Sequence, residues 1–202
     1  ARGALATSLV ITVLVLAYAV FNDPQEINGT INAADVAPAK SAGGIADGDW
    51  PAYGRTQAGT RYSPLSQIND KNVGQLTEAW SFRTGDMKTA NDPGEITDEV
   101  TPIKIGDMIY LCTPHQKLFA LDAATGKAKW QFDPQLKPNP TFQHVTCRGV
   151  SYHETPASAQ APASGSAPAI CARRIILPVN DGRMFALDAA TGARCADFGN
   201  NG

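Results

Sequence analysis

The sequence lacks the features that mark a nucleic-acid-binding or zinc-binding protein. Its 17 Lys and Arg residues nearly balance its 19 Asp and Glu residues, and no basic cluster occurs, so we expect no nucleic-acid partner. Only three His and four Cys residues are present, and none has the CxxC or His-rich spacing of a zinc site. Apolar residues make up 43% of the 202 residues, which is enough to bury a core. We therefore expect a mostly folded chain without metal ligands of its own.

One uncharged hydrophobic run stands out, from Ala4 to Phe21. A helix of this length approaches the thickness of a bilayer core, about 30 Å, so we predict one transmembrane α-helix over residues 1–22. A buried core helix, an interfacial helix and a signal peptide are the alternatives. The last is less favoured, because a signal peptide begins with Met and a basic segment. Since Arg2 precedes the run and Asp23 follows it, the positive-inside rule predicts that the chain then leaves the cytoplasm.

Two low-complexity stretches divide the rest of the chain. Residues 23–48 are predicted to be a linker, because their Ala, Gly and Pro residues show no apolar periodicity. Residues 156–168 are predicted to be a flexible insertion in a folded domain that covers residues 49–202. The chain begins at Ala1 and ends in a turn-like sequence, so we expect a piece of a longer protein. Outside the cytoplasm cysteines can form disulfides. Three complete pairings are possible for Cys112, Cys147, Cys171 and Cys195.

The strongest internal signal is a repeat, because FALDAATG occurs at Phe119–Gly126 and again at Phe185–Gly192. In each copy a β-branched, apolar segment and a short polar turn come first. The repeat then ends in Asp-Ala-Ala-Thr-Gly, a turn formed by an Asx-capable residue and a glycine. Each copy predicts a β-hairpin, and Trp130 after the first is placed to bury its ring. Repeated hairpins predict blades of a β-propeller; a β-sandwich or an isolated duplication is the alternative.

Several segments resemble, in order and spacing, the PQQ-dependent quinoprotein dehydrogenases. Asp49–Arg55 (DWPAYGR) and Arg61–Leu65 (RYSPL) resemble the opening signature of that family. The pattern AxDxxxGKxxW from Ala120 to Trp130 resembles the tryptophan-docking motif that joins its blades. Residues 97–102 (TDEVTP) and 141–152 resemble its membrane-bound glucose dehydrogenase branch.

The resemblance assigns three residues to the cofactor PQQ, a planar quinone with three carboxylates. Arg148 has a guanidinium fork that grips a carboxylate through two hydrogen bonds. His144 is expected against the quinone, and Glu99 resembles the family glutamate that approaches the cofactor. The alcohol dehydrogenase branch has adjacent cysteines ahead of its Arg-Gly pair, whereas this sequence has only Cys147 there, which favours the sugar-oxidising branch. A surface Arg, a structural His and an exposed Glu are the structural alternatives.

The resemblance implies an eight-bladed β-propeller that oxidises an aldose such as D-glucose to its lactone. In that family a carboxylate base takes the hydroxyl proton while hydride passes to PQQ, which a bound Ca²⁺ or Mg²⁺ polarises, and electrons continue to ubiquinone. The base and the metal ligands are expected beyond residue 202, so we expect this segment to be inactive alone. The implied location is the bacterial inner membrane, with the propeller in the periplasm.

Two other functions remain open at this point. A PQQ-dependent polyol or cyclic-alcohol dehydrogenase is the nearest, because no substrate-reading residue is identified. A non-catalytic propeller scaffold of the cell envelope is less favoured, since it has no use for a carboxylate-binding fork. The tryptophans are expected in core and docking positions. Turn or surface positions are expected for His115, His153, Glu154 and Asp181.

Overall fold

The computed structural model describes residues 2–21, 44–56, 58–92, 94–137, 139, 141–142, 144–155 and 171–202. The chain divides into two compact units, Ala1–Ser41 and Ala42–Gly202. The insertion predicted at 156–168 lies outside the described residues, as does the predicted linker except for its last residues. The linker and the insertion therefore remain predictions.

The first unit contains helix α1, Arg2–Phe21. Its large apolar side chains from Leu9 to Phe21 are more than half exposed. No helix within the described residues combines the length and the apolar character that a membrane crossing requires. The segment predicted to be transmembrane is therefore a helix, and its role as a span is not confirmed.

The second unit is a β-structure, in whose described part nine short strands form three sheets. The strands are β1 (Glu95–Ile96), β2 (Ile103–Ile105), β3 (Met108–Cys112), β4 (Leu118–Asp122), β5 (Ala128–Phe132), β6 (His144–Val145), β7 (Ser151–Glu154), β8 (Arg173–Pro178) and β9 (Met184–Asp188). Strands β2 to β5 form a four-stranded antiparallel meander. Strands β7 to β9 form a three-stranded one, and β1 pairs with β6 in parallel.

The two copies of the repeat form equivalent hairpins, as predicted. β3 pairs with β4, and Tyr110 lies opposite Ala120; β8 pairs with β9, and Ile176 lies opposite Ala186. In the second sheet, an isolated β-bridge between Leu187 and Arg194 takes the place of the fourth strand of the first sheet. These alternating strands bury one hydrophobic core between the two sheets. Its most buried members include Ile103, Leu118, Ile175, Leu177 and Leu187.

The turn that ends each repeat is held by its own aspartate. Asp122 Oδ1 accepts hydrogen bonds from the backbone N–H groups of Ala124 and Thr125 and from the Thr125 hydroxyl. Asp188 Oδ1 does the same for the equivalent residues of the second copy. An Asx turn of this kind leaves the next glycine in a left-handed conformation, and Gly126 has φ +68°. The repeated letters therefore encode a fixed turn.

Tryptophans connect these turns to the preceding element of the chain. The Trp80 indole N–H donates to Ala123 O at 3.2 Å, and the Trp130 indole N–H donates to Ala189 O at 3.1 Å. Phe132 and Phe185 add an aromatic contact between the sheets, with ring centroids 5.0 Å apart. Trp130 belongs to β5, the outer strand of its sheet. Trp80, which lies outside the strands, makes the same contact with the turn of the first copy that Trp130 makes with the turn of the second.

The structure contains two disulfides, which select one of the three cysteine pairings that the sequence left open. Cys112 at the end of β3 bonds to Cys147, and Cys171 bonds to Cys195. All four cysteines are at most 5% exposed, so the bonds are part of the core. The second copy of the repeat has no docking tryptophan, and its Cys195 instead bonds to Cys171, two residues before β8.

Candidate functional site

A parallel pairing of two chain segments creates the candidate site. Residues 95–101 run beside residues 144–150, with Glu95 opposite His144 in the β1–β6 pair. Beyond it, the Thr97 N–H donates to Val145 O at 3.3 Å. The Thr101 N–H donates to Arg148 O at 3.1 Å. Side chains from the two segments therefore lie next to one another.

The structure brings the three residues predicted to bind the cofactor into one polar network. Arg148 Nε lies 3.1 Å from Glu99 Oε2. The other oxygen, Glu99 Oε1, accepts a hydrogen bond from the Thr97 hydroxyl at 2.9 Å. His144 Nε2 lies 2.5 Å from the same hydroxyl oxygen and 4.0 Å from Glu99 Oε1. Glu99 thus joins the histidine to the arginine through its two oxygens.

The backbone beneath this network is anchored, while its arginine reaches into solvent. Cys147, next to Arg148, is tied by its disulfide to the end of β3. Gln116, which is 1% exposed, donates from Nε2 to Thr146 O at 3.3 Å and accepts from the Asn180 N–H at 3.3 Å. By contrast, the Arg148 side chain is 77% exposed. A fixed backbone with an exposed guanidinium is suited to binding a ligand from solution.

A cleft of about 710 Å³ opens beside the network. Its lining comes from residues 51–53, from Glu99 and Thr101, and from residues 148–152. Glycine is favoured at position 149, because its φ of +154° is a conformation that other residues rarely adopt. His144 belongs to the network but is not among the lining residues. This volume is in the range of small-molecule and cofactor sites.

The donors of the cleft fit an anionic, flat ligand such as PQQ. Arg148 uses Nε for Glu99, and its two terminal nitrogens have no partner among the described residues. Two parallel N–H groups of this kind match a carboxylate. The ring of Tyr152 also lines the cleft, and its hydroxyl donates to Glu154 at 2.8 Å. Burial and this bond raise the pKa of Tyr152 well above its usual range, so the ring remains neutral.

Thr97 and the two tyrosines of the cleft, Tyr53 and Tyr152, were not predicted from the sequence. One signal for Thr97 was available, because it precedes Glu99 by two residues in an extended segment and such residues lie on the same side. The tyrosines gave no such signal, since their approach to Arg148 depends on tertiary packing.

A second charged cluster lies around His115, which the sequence analysis assigned to a turn or surface. Its Nδ1 lies 2.9 Å from Asp86 Oδ1, and its Nε2 lies 2.8 Å from Asp92 Oδ1. Lys117 Nζ is 3.4 Å from Asp86. Burial lowers the pKa of His115, but the bonds to both carboxylates outweigh it and the pKa is raised. His115 is half-buried and forms a clamp with Asp86 and Asp92, because each of its ring nitrogens pairs with one carboxylate.

Within the described residues, one trio of side chains has the spacing of metal ligands. It consists of Cys171, Cys195 and Asp197. Both sulfurs belong to a disulfide, and a metal requires thiolates, so this trio offers no metal site.

The family model described as "PQQ: Glucose/ethanol/alcohol dehydrogenase, beta-propeller domain" matches residues 50–202. The chain belongs to this family. It is 61% identical over 202 residues to a quinoprotein glucose dehydrogenase of Escherichia coli (strain K12), covering 100% of this chain and 25% of that protein. It is 53% identical over 205 residues to quinoprotein glucose dehydrogenase A of Acinetobacter calcoaceticus, covering 100% and 26%.

Solved structures agree with the fold. A europium-containing methanol dehydrogenase superposes with a TM-score of 0.54 at 28% identity, over 74% of this chain and 22% of that one. The propeller predicted from the repeats is confirmed, and so is the predicted resemblance to quinoprotein dehydrogenases. The number of blades is not confirmed. The chain spans about a quarter of the length of the curated relatives it matches.

Proposed function

We propose that this chain supplies one wall of the PQQ site in a quinoprotein dehydrogenase that oxidises an aldose such as D-glucose to its lactone. The network of Glu99, His144 and Arg148 beside a cleft of about 710 Å³ carries the proposal. The relatives at 61% and 53% identity are named quinoprotein glucose dehydrogenases, which supports a sugar over a polyol. Electrons continue to ubiquinone in this proposal.

In the proposed site the residues of this chain bind and orient. PQQ supplies the hydride acceptor when it is bound. Arg148 holds one of its carboxylates through the two terminal guanidinium nitrogens, and Glu99 fixes the guanidinium plane from the opposite side. His144 reaches Glu99 through the Thr97 hydroxyl and lies outside the carboxylate grip. The catalytic base, the Ca²⁺ or Mg²⁺ ion and its ligands belong to chain segments after residue 202.

We also propose that α1 attaches the protein to the bacterial inner membrane and that the propeller faces the periplasm. Ala4–Phe21 has no charge, and its large side chains are exposed in the structure. Two buried disulfides in the second unit suit an oxidising compartment. An alkaline phosphatase fused after Gly48 should be active, and an inactive phosphatase with a fluorescent cytoplasmic reporter would contradict this location.

A reconstitution experiment on the full-length protein tests the proposed reaction. The enzyme is purified without PQQ and then receives PQQ, a divalent cation and an artificial electron acceptor. D-Glucose, glycerol and quinate are offered separately, since a polyol or cyclic-alcohol dehydrogenase is the alternative. We expect PQQ-dependent oxidation with kcat/KM highest for glucose. A preference for glycerol or quinate would replace the sugar assignment, and the absence of PQQ binding would favour a scaffold.

A further inference from the structure

The hydroxyl group of Thr97 lies between the side chains of Glu99 and His144 in the proposed cofactor site. Its oxygen is 2.9 Å from Glu99 Oε1 and 2.5 Å from His144 Nε2. A hydroxyl has one proton to donate and lone pairs to accept with. The direction of each bond is therefore decided by what the two neighbours can accept.

Glu99 decides the first bond. Its carboxylate is paired with the Arg148 guanidinium through Oε2, and an ionised carboxylate only accepts hydrogen bonds. The Thr97 proton must therefore point at Glu99 Oε1. If it pointed at His144 instead, two oxygens with lone pairs would face each other at 2.9 Å without a proton between them. Two acceptor oxygens at that distance repel each other, so this orientation of the hydroxyl is disfavoured.

The second bond follows from the first. Since the Thr97 proton is committed to Glu99, the hydroxyl oxygen accepts from His144, and Nε2 must carry the hydrogen. In a neutral imidazole the other nitrogen, Nδ1, is then the unprotonated one. We propose that Thr97 is a positioning residue that holds His144 as the Nε2–H tautomer and leaves Nδ1 as its basic atom. This rests on the cofactor-binding role proposed above only for its functional consequence.

The consequence concerns which histidine atom serves the cofactor. With Nε2 occupied by Thr97, any hydrogen bond accepted by His144, and any proton it takes up, is at Nδ1. Thr97→Val keeps the shape of the side chain but removes the hydroxyl, so both tautomers become accessible and Glu99 loses one of its two partners. Thr97→Ser keeps the hydroxyl and should restore the wild-type state.

The ¹⁵N NMR spectrum of full-length, PQQ-free enzyme labelled in its histidines measures the tautomer directly. His144 signals are assigned by their loss in His144→Gln. We expect a protonated Nε2 and an unprotonated Nδ1 in the wild type and in Thr97→Ser at a pH where the ring is neutral, and a mixture of both tautomers in Thr97→Val. The control is Thr60→Val, which removes an exposed hydroxyl that pairs with Thr56 and should leave the signals unchanged.

A titration with PQQ separates this inference from the proposed function. We expect Thr97→Val to bind PQQ about three- to tenfold more weakly and Thr97→Ser to bind like the wild type. A wild-type His144 with hydrogen on Nδ1, or a Thr97→Val spectrum equal to the wild type, would overturn the role of Thr97. The expected tautomer in a full-length protein that takes up no PQQ would instead overturn the proposed function and leave the tautomer assignment standing.

Discussion

Trp130 donates its indole N–H to the backbone carbonyl of Ala189, 59 residues further along the chain, over 3.1 Å. Its ring lies against Gly192, where an added Cβ would come within 2.7 Å of the indole. Trp80 has the same relationship to Ala123 and Gly126. The last five letters of the repeat thus form a receptor for the tryptophan of the preceding blade: a carbonyl for the N–H and a glycine for the ring.

This relationship predicts that Gly192→Ala weakens the contact between the two blades. Gly192 has φ +74°, so alanine introduces backbone strain of about 1 kcal/mol, and its Cβ overlaps the Trp130 ring, which adds roughly 1–3 kcal/mol. Gly182→Ala is a matched control, because Gly182 has φ +89° with no atom near its Cβ position. Calorimetry of the full-length protein should show the larger loss of thermal stability for Gly192→Ala. Equal losses would mean that the ring contact contributes nothing.

The disulfide from Cys112 to Cys147 is expected to position the site as well as to stabilise the fold. It closes a separation of 35 residues and the other bond closes one of 24, so each should contribute roughly 3–4 kcal/mol by the loop-entropy relation. Only the first adjoins Arg148. Replacing Cys112 and Cys147 together by Ala should therefore lower both thermal stability and PQQ affinity. The matching pair of changes at Cys171 and Cys195 should lower stability alone, and a comparable loss of PQQ affinity there would refute the positioning role.

The clamp around His115 predicts a pH-dependent segment. The pKa of His115 is raised, so the charged histidine contributes stability that is complete below its unfolded value of about 6.5 and is lost as the pH rises through the folded value. Hydrogen bonds from His115 and Thr89 hold the pKa of Asp92 at about 2. That carboxylate therefore contributes stability above about pH 4, which is lost as the pH falls toward 2. The clamp should be strongest between these two limits.

Hydrogen exchange of residues 86–92 measures this in the full-length protein, with intrinsic exchange rates corrected at each pH. His115→Gln should reduce protection more at about pH 5.5, where the wild-type ring is charged, than at a pH above its raised folded pKa, where the ring is neutral. His153→Gln changes an exposed histidine on β7 and serves as the control. An equal loss of protection at both pH values would show that the charge on His115 does not contribute.

Replacing His144 should lower turnover rather than PQQ affinity, unlike replacing Arg148. His144 lies outside the cleft lining, so His144→Ala should leave PQQ affinity within about threefold of the wild type and reduce turnover at saturating PQQ. Single-cycle reduction of bound PQQ by glucose, followed by its absorbance, measures this step. A variant with normal turnover but weak PQQ binding would move His144 from the chemical step to the grip.

The sequence predicts those parts of the structure that depend on local patterns. FALDAATG predicts two hairpins because its Asx turn and glycine act within a few residues, and Trp130 signals docking because a large ring after such a hairpin needs burial. Contacts between distant segments were harder to predict. The pairing of Cys112 with Cys147 depends on contacts between distant segments. Asp86 and Asp92 lie outside the strands, in a segment that turns at Thr89–Asp92 and whose approach to His115 has no sequence period. Glu99, His144 and Arg148 were predicted as site residues through their motifs, while the contacts of Thr97 with Glu99 and His144 were visible only in the structure.

The equilibrium affinity of the full-length protein for PQQ, measured for Arg148→Lys, tests the central claim most directly. Lysine keeps the charge but replaces the planar fork by one nitrogen, which cannot pair with Glu99 and also offer a cofactor carboxylate two parallel N–H groups. Affinity should fall tenfold or more, or about 1.5–3 kcal/mol, while turnover at saturating PQQ should fall much less. Arg183→Lys, in an exposed pair with Asp181, should bind like the wild type. Wild-type affinity in Arg148→Lys would contradict the account and return Arg148 to the role of a surface residue.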